Sequence, residues 1–224
     1  MKAPVSALVV AAGLAGCTAP SAVIQTTPTW VISSGPIPAS ARETFFTSRQ
    51  HYKGWADSRL ISNGRVWAAV VPSLGRVMQF GFVNDAGVFW ENPRLLGQPM
   101  SANPWEVPGS FGGDKTWPAP QSAWNWPPPD VFDREAVSVR EVPGGLILES
   151  KVSPRFGIRT ERRIELETGQ PVMRITTTYH KVQGDPVDVS VWVITQARAP
   201  EFVELPLPKD SRFPEGYEIG RAHV

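Results

Sequence analysis

Trp55-Ala56-Asp57-Ser58-Arg59-Leu60-Ile61-Ser62-Asn63-Gly64-Arg65-Val66-Trp67-Ala68-Ala69-Val70-Val71 is the stretch that decides the fold class. Two apolar runs, residues 55–61 and 65–71, flank Ser62-Asn63-Gly64, and Asn-Gly in that setting supplies the positive φ angles of a tight β-hairpin turn. Downstream, Pro72-Ser73-Leu74-Gly75 ends the second run, residues 76–84 make a third strand, and Asp85-Ala86-Gly87 turns the chain into Val88-Phe89-Trp90. This reads as an antiparallel meander. After a long irregular segment strands resume at 136–142, 146–152, 157–167, 172–180 and 187–196, with Pro143-Gly144-Gly145 and Thr168-Gly169-Gln170 as turns. Arg159, Glu161 and Arg163 alternate only imperfectly with Thr160, Arg162 and Ile164, which predicts an edge strand or a sheet open on both faces. No window carries apolar residues at helical spacing. The expected class is all-β, an antiparallel β-sandwich.

Upstream of the hairpin, residues 18–48 are rich in Thr, Ser, Pro and Ala without a sustained period and read as an extended tether, so the sandwich domain is expected over residues 51–217. The first sixteen residues have the order of an export signal: Lys2 as the positive charge, an apolar stretch over 5–14, then small Ala15 and Gly16. Leu14-Ala15-Gly16-Cys17 resembles the bacterial lipobox, in which the cysteine takes a diacylglycerol and the leader is cut just before it. Cys17 is the single cysteine of the chain. Acylation at Cys17 would then give the domain a lipid bilayer as partner and place it in the cell envelope, with Thr18 favouring the outer membrane in a Gram-negative host.

Composition narrows the remaining classes. The chain has 22 Lys plus Arg and 21 Asp plus Glu, and loss of Lys2 with the leader makes the two equal. A nucleic-acid partner needs a basic surface, so that class is set aside and a monomer is expected. No spaced His and Cys cluster, phosphate-cradling loop or nucleophile elbow occurs, and neither cofactor nor metal is expected. The bias that stands out is 23 prolines and nine tryptophans.

Much of that bias falls between Trp90 and Asp133, a segment too long for an ordinary sandwich connection. Trp90, Trp105, Phe111, Trp117, Trp124, Trp126 and Phe132 make it too aromatic to stay solvated, and interleaved prolines stiffen it. At its centre stands Phe111-Gly112-Gly113-Asp114-Lys115-Thr116-Trp117-Pro118-Ala119-Pro120-Gln121, with Trp124-Asn125-Trp126 following. Gly112-Gly113 allows unusual backbone angles or close approach to the main chain. Asp114 and Lys115 then have the chemistry to bond sugar hydroxyls, and Trp117, Trp124 or Trp126 to stack on a sugar ring. The competing reading makes Asp114 a turn cap, Lys115 a solvated side chain and the tryptophans a satellite core.

These residues also carry a resemblance. Val71-Pro72-Ser73-Leu74-Gly75-Arg76-Val77-Met78-Gln79-Phe80, Trp90-Glu91-Asn92-Pro93 and Gly112-Gly113-Asp114-Lys115 with Trp117 to Gln121 look like a bacterial lipoprotein family of unknown function. Its members resemble the galactose-mutarotase-like, or aldose 1-epimerase-like, supersandwiches. The resemblance implies a carbohydrate ligand and places Arg76, Asn92, Asp114 and Lys115, with Gln121, toward a sugar-binding face. Mutarotation requires a histidine and a carboxylate on the same sugar. His180 is the candidate acid, but where epimerase relatives carry histidines this chain reads Trp192-Val193-Ile194-Thr195-Gln196. Late in the sequence, Glu218-Ile219-Gly220-Arg221-Ala222-His223-Val224 matches one frame of a common sequencing-library adapter, so the sandwich reads as truncated after Tyr217. Three functions are therefore expected in order: an anchored carbohydrate-binding protein, an epimerase-like enzyme on the same ligand, and a structural envelope lipoprotein.

Overall fold

The computed structural model describes residues 46–100 and 110–199 with Phe202 and Glu204, and the backbone of Leu8–Ala11, Ile24–Thr26 and Thr29–Val31. Cys17, Trp105, most of the segment read as a tether and residues 218–224 lie outside the described residues.

Among the described residues, thirteen strands form two antiparallel sheets, as the sequence predicts for a sandwich. In chain order they are β1 (Leu8–Ala11), β2 (Ile24–Thr26), β3 (Thr29–Val31), β4 (Phe46–Arg49), β5 (Arg59–Ser62), β6 (Val66–Val71) and β7 (Arg76–Phe82). Then come β8 (Gly113–Ala119), a single-turn helix α1 (Asp130–Asp133), β9 (Ser138–Val142), β10 (Gly145–Val152), β11 (Ile158–Leu166), β12 (Val172–Lys181) and β13 (Ser190–Gln196). One sheet runs β1-β13-β8-β7-β6-β5-β4; the other runs β2-β12-β11-β10-β9, with β3 also on β12. Thus two pieces of the segment read as a tether lie along β12, and a piece of the segment read as an export signal lies along β13.

Alternation along the strands builds the core. Ile61, Val66, Ala68, Val70, Val77 and Phe80 from the first sheet meet Leu146, Leu148, Ile164, Leu166, Met173 and Ile175 from the second. Burying one such side chain is worth roughly 1.5–3 kcal/mol. A second cluster, Tyr52, Trp55, Val71, Leu74, Met78, Leu95 and Phe111, covers the outer face of the first sheet. The hairpin turn is tied to the opposite sheet: Asn63 Oδ1 accepts from the amides of Arg65 and Val66, while Nδ2 donates to the carbonyls of Glu167 and Gln170. Of the turn pair only Gly64 has positive φ, because the Asn63 side chain closes the turn.

Four expectations need correction. The first strand begins at Arg59, since Trp55 is held in a tight turn against Tyr52. Val88-Phe89-Trp90 is no strand but makes an isolated bridge at Phe89 to Ala197, because Gln79 takes the Phe89 amide and carbonyl. β11 is an interior strand between β10 and β12, and its irregular pattern arises from Arg162 facing inward at a position where the alternation calls for an apolar residue. Finally, the Gly-Gly-Asp-Lys block is not loop: from Gly113 on it is β8, hydrogen-bonded between β7 and β13.

Candidate functional site

β8 enters the sheet under a steric constraint that two glycines satisfy. Gly112 and Gly113 hold φ of 97° and 72°. A Cβ on Gly112 would lie 2.1 Å from the Trp90 carbonyl oxygen, and one on Gly113 2.4 Å from that of Val77. The close approach that the sequence suggests is therefore to the protein's own main chain. β8 pairs with β7 only at Val77 and Asp114, and beyond that point α1 packs against β8 and β10.

This placement makes Asp133, the last residue of α1, a common acceptor. Its Oδ1 accepts from Lys115 Nζ at 2.5 Å, Trp117 Nε1 at 2.9 Å and Arg76 Nη2 at 3.3 Å. Arg76 also donates to Ser110 Oγ and the Gly112 carbonyl. Lys115 Nζ stands 4.0 Å over the Trp117 ring, a cation–π geometry. Burial and then the neighbouring Arg76 charge bring the Lys115 pKa down to about 7, although Asp133 pulls the other way. Burial also lowers the Arg76 pKa, with Asp133 opposing. Burial pushes the Asp133 carboxyl upward, but Lys115 and Arg76, with the Lys115 and Trp117 hydrogen bonds, together hold it below the usual carboxylate value.

Asp114 and Lys115 are neighbours on a strand and so point to opposite faces. Asp114 faces into the sandwich, where Arg162 Nη2 donates to Oδ1, Arg162 Nη1 donates to its carbonyl at 3.2 Å, and Thr195 Oγ1 donates to Oδ2 at 2.5 Å. Both Asp114 and Arg162 are buried. The competing reading of Asp114 as a turn cap and of Lys115 as solvated is replaced by two internal ion pairs.

On the outer face, register places Trp117 opposite Trp192. Their rings meet edge to face at 5.5 Å, and Trp117 meets Trp124 at 5.7 Å and Trp126 at 6.1 Å in the same manner. Trp124 is buried and donates to the Pro118 carbonyl at 2.8 Å, whereas Trp126 is 58% exposed. Asn125, at φ 59°, sits in the left-handed region between them and turns Trp126 outward.

Arg76, Lys115, Trp117, Trp124 and Trp126 are therefore brought together, with Asp114 directly behind them. Asn92 donates its amide to the carbonyl of Phe111, whose ring lies under Arg76, but its buried side chain serves a local turn, where Oδ1 accepts from the Arg94 amide. Gln121 is exposed and its carbonyl holds the turn into Trp124 and Asn125. His180 lies across the molecule on β12, 3.6 Å from Glu161. Of the described histidines, His51 is exposed and neither it nor His180 contacts Asp114 or Asp133. Sequence reading missed Asp133, Arg162 and Thr195. The one signal was Arg162 itself, a charge at an inward strand position.

As chemistry, the cluster holds charge in place and does not expose it. The cleft beside it has a volume of about 30 Å³, far below that of a sugar ring. Among the described residues no three His, Cys, Asp or Glu side chains are grouped to hold a metal, and no helix is long and apolar enough to cross a membrane. Comparison with family models, curated proteins and solved structures gives no match to this chain.

Proposed function

We propose that the chain is the precursor of an envelope lipoprotein, anchored through Cys17, whose β-sandwich binds carbohydrate on the surface formed by Trp117, Trp126 and Trp192. The observation that carries this reading is the exposed Trp126 ring, braced edge-on against Trp117 within a tryptophan cluster. Flat, rigid aromatic faces lose little entropy on binding and suit the apolar face of a pyranose. Asp114, Lys115, Arg76 and Asp133 serve it from behind, by fixing the strand and the Trp117 indole. Binding is favoured over epimerase chemistry, because no described histidine joins a carboxylate on this surface.

Retention of the full chain on insoluble polysaccharides tests the ligand: wild type should be retained and Trp126→Ala released, and equal retention would refute the surface. Metabolic labelling with a fatty acid tests the anchor. Label should enter the wild type and be lost in Cys17→Ser, and label persisting in that variant would refute acylation at Cys17.

A further inference from the structure

Arg155 stands in the turn between β10 and β11, and its exposed side chain crosses to the turn that leads into Trp124 and Trp126. Arg155 Nη2 donates to the Ala123 carbonyl at 2.5 Å, and Cζ lies 5.8 Å from the centre of the Phe156 ring, within cation–π range. Phe156 is buried, with its ring 6.1 Å from that of Phe132, so the guanidinium rests on a fixed surface. Ala123 and Trp126 are three residues apart, which limits their Cα separation to about 10 Å. An exposed cation is thus fastened to the same turn that presents the exposed indole.

No carboxylate among the described residues forms an ion pair with Arg155. Asp130 pairs with Arg134 at 3.2 Å and Glu149 with Arg159 at 3.6 Å. Asp185 and Asp188, exposed in the segment after β12, pair with neither Arg155 nor Lys181. Lys181 is a second cation at this turn, its Nζ donating to the Phe156 carbonyl at 2.8 Å. A guanidinium carries five N–H donors in a planar fork that matches a carboxylate with two parallel bonds. The contact to Ala123 uses one edge of that fork, and it holds the rest in place at the surface. A neutral sugar on Trp126 would leave these donors to water, whereas a sugar that carries a carboxylate would occupy them.

We propose that the ligand of the tryptophan surface is an acidic polysaccharide built of uronic acids, in which one ring stacks on Trp126 and a carboxylate pairs with Arg155. The inference rests on the carbohydrate reading and adds the class of sugar to it. Arg155 is the residue that sets this specificity, because its guanidinium is positioned before the ligand arrives.

The test titrates the full chain, at constant ionic strength, with polygalacturonate and alginate, with the carboxyl-reduced form of each, and with dextran sulfate. Wild type should bind at least one polyuronate about tenfold more tightly than its carboxyl-reduced form, the equivalent of one charge-assisted hydrogen bond. Arg155→Gln should erase that difference without shifting the thermal midpoint, and Trp126→Ala should abolish binding of both forms. Equal binding of a polyuronate and its reduced form would overturn the uronate assignment and leave the carbohydrate reading standing. Preference for dextran sulfate over both polyuronates would overturn it as well, by showing that charge alone is read. A preference for the polyuronate that persists in Arg155→Gln would place the carboxylate elsewhere and refute the role of Arg155. Failure of both polyuronates to bind refutes the assignment, and binding of a reduced form in the same experiment shows whether the carbohydrate reading falls with it.

Discussion

Arg162 spans the sandwich to Asp114, donating to both its carboxylate and its main-chain carbonyl, so one guanidinium joins the two sheets at the start of β8. Because both groups are buried, removing one leaves the other charged and unpaired. Asp114→Ala is expected to cost roughly 3–5 kcal/mol, whereas Asp114→Ala combined with Arg162→Met should recover a large part of that loss. Urea unfolding of the four proteins of this double-mutant cycle checks it. Additive losses would mean that the pair is not coupled.

Lys115 gives the fold a pH dependence of known sign. Burial, then the Arg76 charge, brings its pKa down to about 7 in the folded protein, against 10.5 for a lysine in water. Between these values the unfolded chain binds a proton that the folded chain does not, so stability rises with pH. It is lost again as pH falls through 7. The slope approaches about 1.4 kcal/mol per pH unit for one proton. The phenols of Tyr52 and Tyr179, raised by burial, oppose this trend only above about pH 10. Denaturant midpoints from pH 7 to 9.5 should climb in the wild type and stay nearly flat in Lys115→Met; parallel slopes would contradict the assignment.

Two tryptophans two residues apart in the same turn region should behave differently. Trp124 is buried and bonded to Pro118, so Trp124→Ala should cost about 3–5 kcal/mol of stability. Trp126 is mostly exposed, so Trp126→Ala should shift stability by only about 0.5 kcal/mol while abolishing retention on polysaccharide. Thermal melts and retention assays on both variants separate support from contact. A large destabilisation by Trp126→Ala would move that ring into the supporting set.

Leader removal has a structural consequence under the lipoprotein reading. Leu8–Ala11 pairs with residues 192–195 of β13, so cleavage before Cys17 takes away the strand that covers this edge. Main-chain amides along β13 should exchange with solvent faster in the mature protein than in the uncleaved precursor, next to the Trp192 ring. Equal protection in the two forms would show that the leader strand does not shield this edge.

How far the sequence reveals the molecule depends on which forces write the pattern. The hairpin of β5 and β6 and the β10 to β12 meander are legible because apolar runs bounded by Gly turns mark them, although burial alternates strictly only along β11. β8 is hidden for a physical reason: Asp114 and Thr116 occupy its inward positions and Lys115 its outward one, so ion pairs replace apolar contacts and no hydrophobic alternation is left. Pro118 further disguises it as loop. The sequence does single out Asp114 and Lys115 as unusual, and does mark the tryptophan cluster. Their partners cannot be read by spacing, since Asp133 reaches them through the divergence of β7 from β8, Arg162 through the stacking of two sheets, and Thr195 through the register of β13 on β8. His180 illustrates the converse, a residue attractive by type that the topology sends to another face.

The central claim is that the Trp117, Trp126 and Trp192 surface meets carbohydrate. Indole N–H resonances of the full chain, assigned by single-tryptophan substitutions and followed during titration with soluble oligosaccharides, test it most directly. Trp126 and Trp192 should shift in a saturable way, with Trp117 following, while Trp55 and Trp67, bonded to main-chain carbonyls elsewhere, should stay fixed. No shift across a broad panel of sugars, or shifts confined to Trp55 and Trp67, would contradict the account.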